Sequence, residues 1–327
     1  MTSQSIIAIT PSLVMNGDSL REAFGKALVK FSDQYSNFVV FDADVAGGTG
    51  VHHFRSKVPS RFFQFGIAEQ NMMSAAAGFA STGTTVFVTT FAVFATRAIE
   101  QARLSIAYAN RNVKIVASHT GLDVGPDGAS AQALEDLAMF RSIPGMTVIS
   151  PADSLEMELA VEALLNHHGP AYMRTGRSPS KKIFDLGHSF KIGKGHVIVD
   201  GTDLTIIACG AEVHRAIEAS KILATQGISA AVINMHTIKP IDVSLINHYS
   251  KKTGCFVTAE DHSIIGGLGS AVAEWLAKTK PCPIEFIGTN DCFGESGEPD
   301  QLAEKYLLTA PHIVSAAKNA LQRKNSL

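Results

Sequence analysis

A single carboxylate, Glu69, stands between an aromatic-rich run, "RFFQF" (61–65), and a stretch of small apolar residues, "MMSAAAGFA" (72–80). The first run reads as a strand. The second reads as a buried helix beginning at about Ala68, so the acid falls at the helix mouth. A solvated first-turn acid beside the helix dipole would satisfy such a position. The chemical alternative is a partly buried carboxyl beside a nitrogen heterocycle. Burial disfavours the charged form, so such a group can hold a proton near neutral pH and hydrogen-bond a ring nitrogen.

Phe91 and Phe94 follow at i and i+3, with Arg97 one turn on, in a segment whose pattern predicts a helix over 91–108. They serve either as core packing or as an aromatic wall for a flat ring with a cation at its edge. His119 ends the strand "VKIVAS" (113–118) and opens the Gly-rich loop "HTGLDVGPDGASAQ" (119–132). Asp127 lies in that loop in a Pro-Asp-Gly turn, where most Asp residues only form the turn. Arg174 ends the strand "PAYMRT" (170–175), Arg177 follows it, and Arg21 lies on the first helix beside its apolar face. Each alone reads as a surface cation. Together with His119 they could bind an anionic group, because guanidinium forks suit phosphate or sulfonate oxygens. "DHSIIGGLGSAVAEW" (261–275) loosely has the form of a phosphate cradle. It lacks the Lys-Ser/Thr of a P-loop and the GxGxxG order, so tight helix packing is the preferred reading.

The elements that position these residues alternate. Asp18 or Ser19 can cap a helix in which Leu20, Ala23, Phe24, Ala27, Leu28 and Phe31 recur at helical spacing. Strands are expected at 38–42, 61–65, 84–88, 113–118, 146–150 and 170–175, with a helix opening at Pro151. The stretch 176–190 has no clear period and reads as a linker. A second alternating unit follows: strands near 204–210, 228–234, 254–260 and 283–288, helices at 211–226, 242–251 and 266–279, and a last helix from about Ala310. The expected fold class is α/β, with two consecutive doubly wound, mainly parallel sheets. The expected domains are 1–178 and 193–327, joined by a linker over 179–192. Open α/β sheets bind ligands at the carboxyl ends of their strands, where the polar residues above cluster.

The 327 residues suit two domains at roughly 150 residues each, and 46% hydrophobic content is ample for two cores. A net charge of −2 with scattered Lys and Arg argues against a nucleic-acid or polybasic membrane surface. No signal peptide is evident at the start, and the greasiest region, 72–98, is interrupted by polar residues, so no membrane span is expected. Cys209, Cys255, Cys282 and Cys292 show no metal spacing and read as free thiols of a cytoplasmic protein.

The order of motifs resembles the transketolases and their thiamine-diphosphate relatives. "FQFGIAEQNMMSAAAGFA", "TTFAVFATRAIEQ", "SHTGLDVGPDGASAQALEDLAMFRSIPGMTVISPAD" and "AYMRTGR" resemble the pyrimidine-binding domain. "EDHSIIGGLGSAVAE" and "FGESGEPDQLAEKYLLT" resemble the C-terminal domain. The resemblance implies that Glu69 is the acid that bonds N1′ of the aminopyrimidine and so primes the cofactor's own deprotonation. It implies that Phe91 and Phe94 flank the pyrimidine, that Asp44 lies near the thiazolium, and that Ile67 and Arg97 complete the cofactor site. Arg21, His119 and Arg174 would face the phosphate or equivalent anionic end of a sugar, with Asp127 near a substrate hydroxyl. The family's GDG motif, which holds the diphosphate and Mg²⁺ (or Ca²⁺), does not occur here. The resemblance therefore implies the C-terminal half of a split transketolase, with no metal ligand of its own for that ion. A GDG-bearing N-terminal subunit would supply the diphosphate and metal site, and self-dimerisation would give a heterotetramer.

Three positions depart from the common pattern. Arg97 replaces an aromatic residue and matches deoxyxylulose-phosphate synthases. Ala131 replaces a substrate-contacting His, and Gly48 a phosphate-contacting Ser. They point to an unusual sugar, branched or sulfonated. The competing readings are the beta subunit of a 2-oxoacid dehydrogenase decarboxylase, a deoxyxylulose-phosphate-synthase-like enzyme, and a regulatory partner without catalysis.

Overall fold

The computed structural model describes residues 16–326, which form two principal sheets flanked by helices. The strands are β1 (Asn16–Ser19), β2 (Phe38–Asp42), β3 (Phe62–Gln64), β4 (Thr85–Phe91), β5 (Val113–Ser118), β6 (Thr147–Ile149), β7 (Ala171–Thr175), β8 (Pro179–Lys181), β9 (His196–Val199), β10 (Leu204–Ala208), β11 (Ala230–Asn234), β12 (Thr237–Lys239), β13 (Phe256–Ser263) and β14 (Ile284–Thr289). The first sheet has seven strands in the order β12-β6-β7-β5-β4-β2-β3. All its pairs are parallel except β12 with β6. The second sheet has the order β14-β13-β10-β11-β9, and only β9 runs antiparallel. Strands β2, β5 and β7 are buried along their whole length, as expected of parallel strands covered on both faces. No helix among the described residues is long and apolar enough to cross a membrane.

Two helices follow closely from their sequence pattern. Ser19 caps Leu20–Phe31, its hydroxyl accepting from the Glu22 N–H at 3.4 Å, and the six residues expected at helical spacing are all buried. Helix Glu69–Ala80 buries Met72, Met73, Ala76, Ala77 and Ala80, one stripe at spacings of three and four.

Several expectations need correction. The helix expected over 91–108 is not continuous. Phe91 completes β4, where it pairs with Ser118 of β5. The chain then makes short helical pieces at Ala92–Ala95, Thr96–Ala98 and Ile99–Gln101, and wide π-helical turns over Ala102–Tyr108. Apolar periodicity does not register such a change of pitch. The long loop 119–132 contains tight 3₁₀ turns over Leu122–Asp127. The stretch 176–190 is not wholly irregular, because β8 pairs antiparallel with β1. Strands β9 and β12 and the helix Pro299–Lys305 have periods too short to stand out in sequence.

Strand β12 bears on the organisation of the molecule. It comes from the second half of the chain yet closes the edge of the first sheet, with Thr237 opposite Ile149 and Lys239 opposite Val148. One apolar cluster joins Val148 and Tyr172 of the first sheet to Ile207, Ile233 and Phe256 of the second. The two halves share a core.

Candidate functional site

Five adjacent strands of the first sheet, β7, β5, β4, β2 and β3, run parallel, so their carboxyl ends form one edge. Along that edge stand Arg174 in β7, His119 after β5, Phe91 ending β4, Asp44 after β2, and Ile67 and Glu69 after β3. Strands lie about 4.8 Å apart, so the row spans roughly 19 Å. That length suits an extended ligand with chemically different ends.

Two residues on the edge hold a positive φ without being glycine: Asp44 at 65° and His119 at 59°. Such conformations persist only where the surroundings enforce them. At Asp44 the enforcer is Gln64. Its Oε1 accepts from the backbone N–H groups of Asp44, Phe65 and Gly66 at 2.9 to 3.0 Å, and its Nε2 donates to buried Asp42 at 2.8 Å. Burial raises the pKa of Asp42 against the bonds from Gln64 and the Val45 N–H. Gln64 is thus an organising residue of the edge. The only sequence sign of it was its place at a strand end.

Glu69 opens its helix and is 4% exposed. None of the hydrogen bonds among the described residues involves its carboxylate. Ile67, two residues earlier, is 80% exposed. Arg97 is exposed, and Gln70 donates to its carbonyl at 3.2 Å.

Phe91 and Phe94 do meet, but not as two walls of a slot. Their rings stack on each other with centroids 5.3 Å apart and planes 15° apart. No third ring fits between them. The other neighbour of Phe91 is the His119 ring, stacked at 3.6 Å. Gly48 makes this possible: a Cβ there would lie 2.5 Å from the Phe91 ring. The space a Ser side chain would fill at 48 is occupied by Phe91.

His119 is 3% exposed, and its Nδ1 lies 3.0 Å from the Ser118 hydroxyl. Burial, followed by the nearby Arg21 charge, lowers its pKa to about 4. It is therefore a neutral ring near pH 7. Its Nε2 is 3.7 Å from Asp127, which also lies 3.7 Å from Arg177. Arg21 donates to the Gly48 carbonyl at 3.3 Å, and its Nε is buried without a partner among the described residues.

Arg174 differs most from expectation. Its guanidinium is buried and donates to both carboxylate oxygens of Asp136, to the Asp261 carbonyl at 2.9 Å and to the Ala133 carbonyl at 3.4 Å. Burial opposes the charge on Asp136, but Arg174 outweighs it and holds that carboxyl below its ordinary range. Arg174 chiefly ties the halves together, with little donor capacity left for a ligand. Asp261, from the second sheet, continues this tie. Its carboxylate accepts from the Leu122 and Asp123 N–H groups at 2.8 and 3.1 Å, fixing the start of the turn that carries Asp127. Neither Asp136 nor Asp261 was legible as a site residue, because their partners are remote in sequence.

Beside the row lies a cavity of about 520 Å³ between the two halves, reached by Arg21, Asp123, Arg174, Arg177, Arg215 and Asp261. Glu69, Phe91 and Phe94 are not among its walls. The Gly-rich turn before Leu268 is no anion cradle. Glu260 already fills it, accepting from the Leu268 and Gly269 N–H groups at 2.7 and 2.8 Å.

The buried histidines set an acid limit. His119 and His236 have pKa values lowered to about 4 and about 3, in each case first by burial. Between those values and about 6.5 the unfolded chain binds protons at these two rings that the folded chain does not, so their contribution to stability falls as pH drops through this window. Urea unfolding at pH 7, 6 and 5 should show losses of up to about 1.4 kcal/mol per pH unit from each ring. His236→Phe, whose ring can keep the stacking on Phe190, should reduce that slope. An unchanged slope would show that His236 is not the titrating group.

Residues 18–181 match the family model for the transketolase pyrimidine binding domain, and residues 193–313 match the transketolase C-terminal domain. A transketolase C-terminal section from Methanocaldococcus jannaschii is 44% identical over 309 residues, covering 93% of this chain and 97% of that protein. The 6-deoxy-6-sulfo-D-fructose transketolase subunit SqwH of a Clostridium species is 41% identical over 307 residues, covering 94% and 95%. A solved split-gene transketolase, described as an inactive β4 tetramer, superposes with a TM-score of 0.89 at 46% identity, covering 94% of this chain and all of the other. The matches along nearly the whole chain, on a sheet that gathers polar side chains at its carboxyl edge, place the protein in the transketolase family, as a subunit carrying the pyrimidine-binding and C-terminal domains.

Proposed function

We propose that this chain supplies the pyrimidine side of a thiamine-diphosphate site whose diphosphate side belongs to a separate N-terminal subunit. The assembly transfers a two-carbon ketol unit from an anionic ketose to an aldose. The observation that carries this reading is Glu69: a buried carboxylate unengaged by the described residues, at an open sheet edge beside exposed Ile67. A carboxyl so placed can hydrogen-bond the ring nitrogen of an aminopyrimidine. Thiamine diphosphate, when bound, supplies the carbanion-stabilising chemistry of the transfer.

The chain's own residues bind and orient. Glu69 holds the pyrimidine nitrogen, while Ile67 and the outer face of Phe94 pack on the ring. Arg97 covers its rim, and Asp44 stands at the centre of the row. Arg21, Arg177 and neutral His119 donate to the anionic end of the sugar, with Asp127 toward a hydroxyl and Arg174 bracing them. The kinship with a sulfosugar transketolase subunit and the Phe91-filled space at Gly48 support an anion other than an ordinary terminal phosphate.

The diphosphate and its Mg²⁺ or Ca²⁺ are held by the partner subunit's GDG motif. Exposed Ile67, Leu104 and Tyr108 support an apolar docking face next to Glu69, since residues 102–108 pack on the Glu69 helix. Self-association of this chain completes a heterotetramer, in the cytoplasm.

The test is calorimetric titration of thiamine diphosphate with Mg²⁺ into this chain alone, and into the chain mixed with the GDG-bearing subunit. Tight binding only in the mixture is expected. Tight binding by this chain alone would overturn the split site, and none in the stable mixture would favour a regulatory partner.

A further inference from the structure

Away from the Glu69 end of the edge, Glu22, His52 and His53 each place a potential ligand atom within 4.8 Å of the others. We propose that they form a site for a zinc-class divalent cation, one that ties the first helix to the segment following β2. The inference is independent of the cofactor reading above.

The site is built by backbone contact. Gly25, one turn beyond Glu22, packs so closely that a Cβ there would lie 2.0 Å from the Gly50 carbonyl oxygen. Gly50, at φ 79°, packs equally closely on the Arg21 carbonyl. The His53 N–H in turn donates to the Gly50 carbonyl at 3.3 Å. Two glycines thus bring the helix carrying Glu22 against the turn that leads into the short helix His52–Lys57, which carries both histidines.

The donor atoms fit. His53 Nε2 lies 2.7 Å from Glu22 Oε2, and the two imidazole rings are 4.0 Å apart with planes 37° apart. His52 Nδ1 is buried and has no hydrogen-bond partner among the described residues. A tetrahedral ion with bonds near 2.0–2.1 Å holds its ligand atoms about 3.3 Å apart. Shifts of roughly 1 Å or less in the 2.7 Å pair, and modestly more for the third ligand, would seat it. Two imidazoles and one carboxylate suit Zn²⁺, Co²⁺ or Ni²⁺ rather than Mg²⁺ or Ca²⁺, which prefer oxygen. Both side chains of the Glu22–His53 pair are about one-third exposed, which leaves a route for entry. The ion would fix the spacing between Arg21 and Gly48, now joined by one 3.3 Å hydrogen bond.

The test is titration of the full chain with Co²⁺, followed by visible absorbance, and with Zn²⁺ by calorimetry, each repeated in excess Mg²⁺. One ion per chain is expected, undisturbed by Mg²⁺. Glu22→Gln and His53→Ala should each weaken it by at least 10–100-fold. His53→Gln provides a second variant should His53→Ala fail to fold. Circular dichroism checks each fold. Binding unchanged in these variants would assign the metal to other histidines, an adventitious ion only. No binding by the folded wild type would leave Glu22 and His53 a hydrogen-bonded pair only. Either result overturns the proposal.

Discussion

Replacing Glu69 by Gln should lower kcat of the assembled enzyme by roughly 10²–10⁴-fold, the usual range for a positioned acid–base group. The amide keeps the size of the carboxyl and can still hydrogen-bond a ring nitrogen. It cannot exchange a proton with that nitrogen. Cofactor affinity should therefore change far less than turnover. The fold should be unaffected, because the Glu69 carboxylate makes no hydrogen bond with the described residues. The measurement pairs steady-state turnover with cofactor calorimetry on the same preparation. Activity within tenfold of wild type would remove Glu69 from the chemistry. A loss confined to cofactor binding would make it an anchor only.

Replacing Asp136 by Ala should cost about 3–5 kcal/mol of stability, the range for removing one partner of a buried ion pair. Asp136 is fully buried and accepts from Arg174 and from the Tyr172 hydroxyl. The variant leaves a buried guanidinium without its counter-ion and a phenol without its acceptor. Removing Arg174 as well, as Asp136→Ala with Arg174→Met, should recover part of the loss, since no buried charge then lacks a partner. Denaturant unfolding of both variants decides. A single-variant loss below about 1 kcal/mol would mean that water reaches the pair. Arg174 also reaches the Ala133 and Asp261 carbonyls. The same variant should therefore speed hydrogen exchange in residues 119–132, coupling the ion pair to the loop of His119 and Asp127.

Elements with long, uniform patterns were legible in the sequence. Helix Leu20–Phe31 and strand β5 stand where expected because one buried face or a continuous apolar run is a local property. The 91–108 segment was not legible, since strand, α and π turns all satisfy the same apolar spacing. Only pairing of Phe91 with Ser118 decides where β4 ends. Strand β12 was missed for a related reason: three residues carry too little pattern, and their place at the first sheet's edge depends on the fold of both halves.

The site divides in the same way. Glu69, His119 and Asp127 could be singled out because each stands at or beside the boundary of an element, and turn residues and changes of pattern mark those boundaries in sequence. The order of motifs along the chain determined the family, and the missing GDG determined the expectation of a partner. Tertiary structure alone decided what the charges do. It committed Arg174 to Asp136, made His119 a neutral ring by burying it near Arg21, and turned Phe91 and Phe94 into a stack over Gly48. The physical reason is range. Local pattern fixes which face of an element is buried. Ionisation and donor commitment depend on partners that only the finished packing brings within a few ångströms.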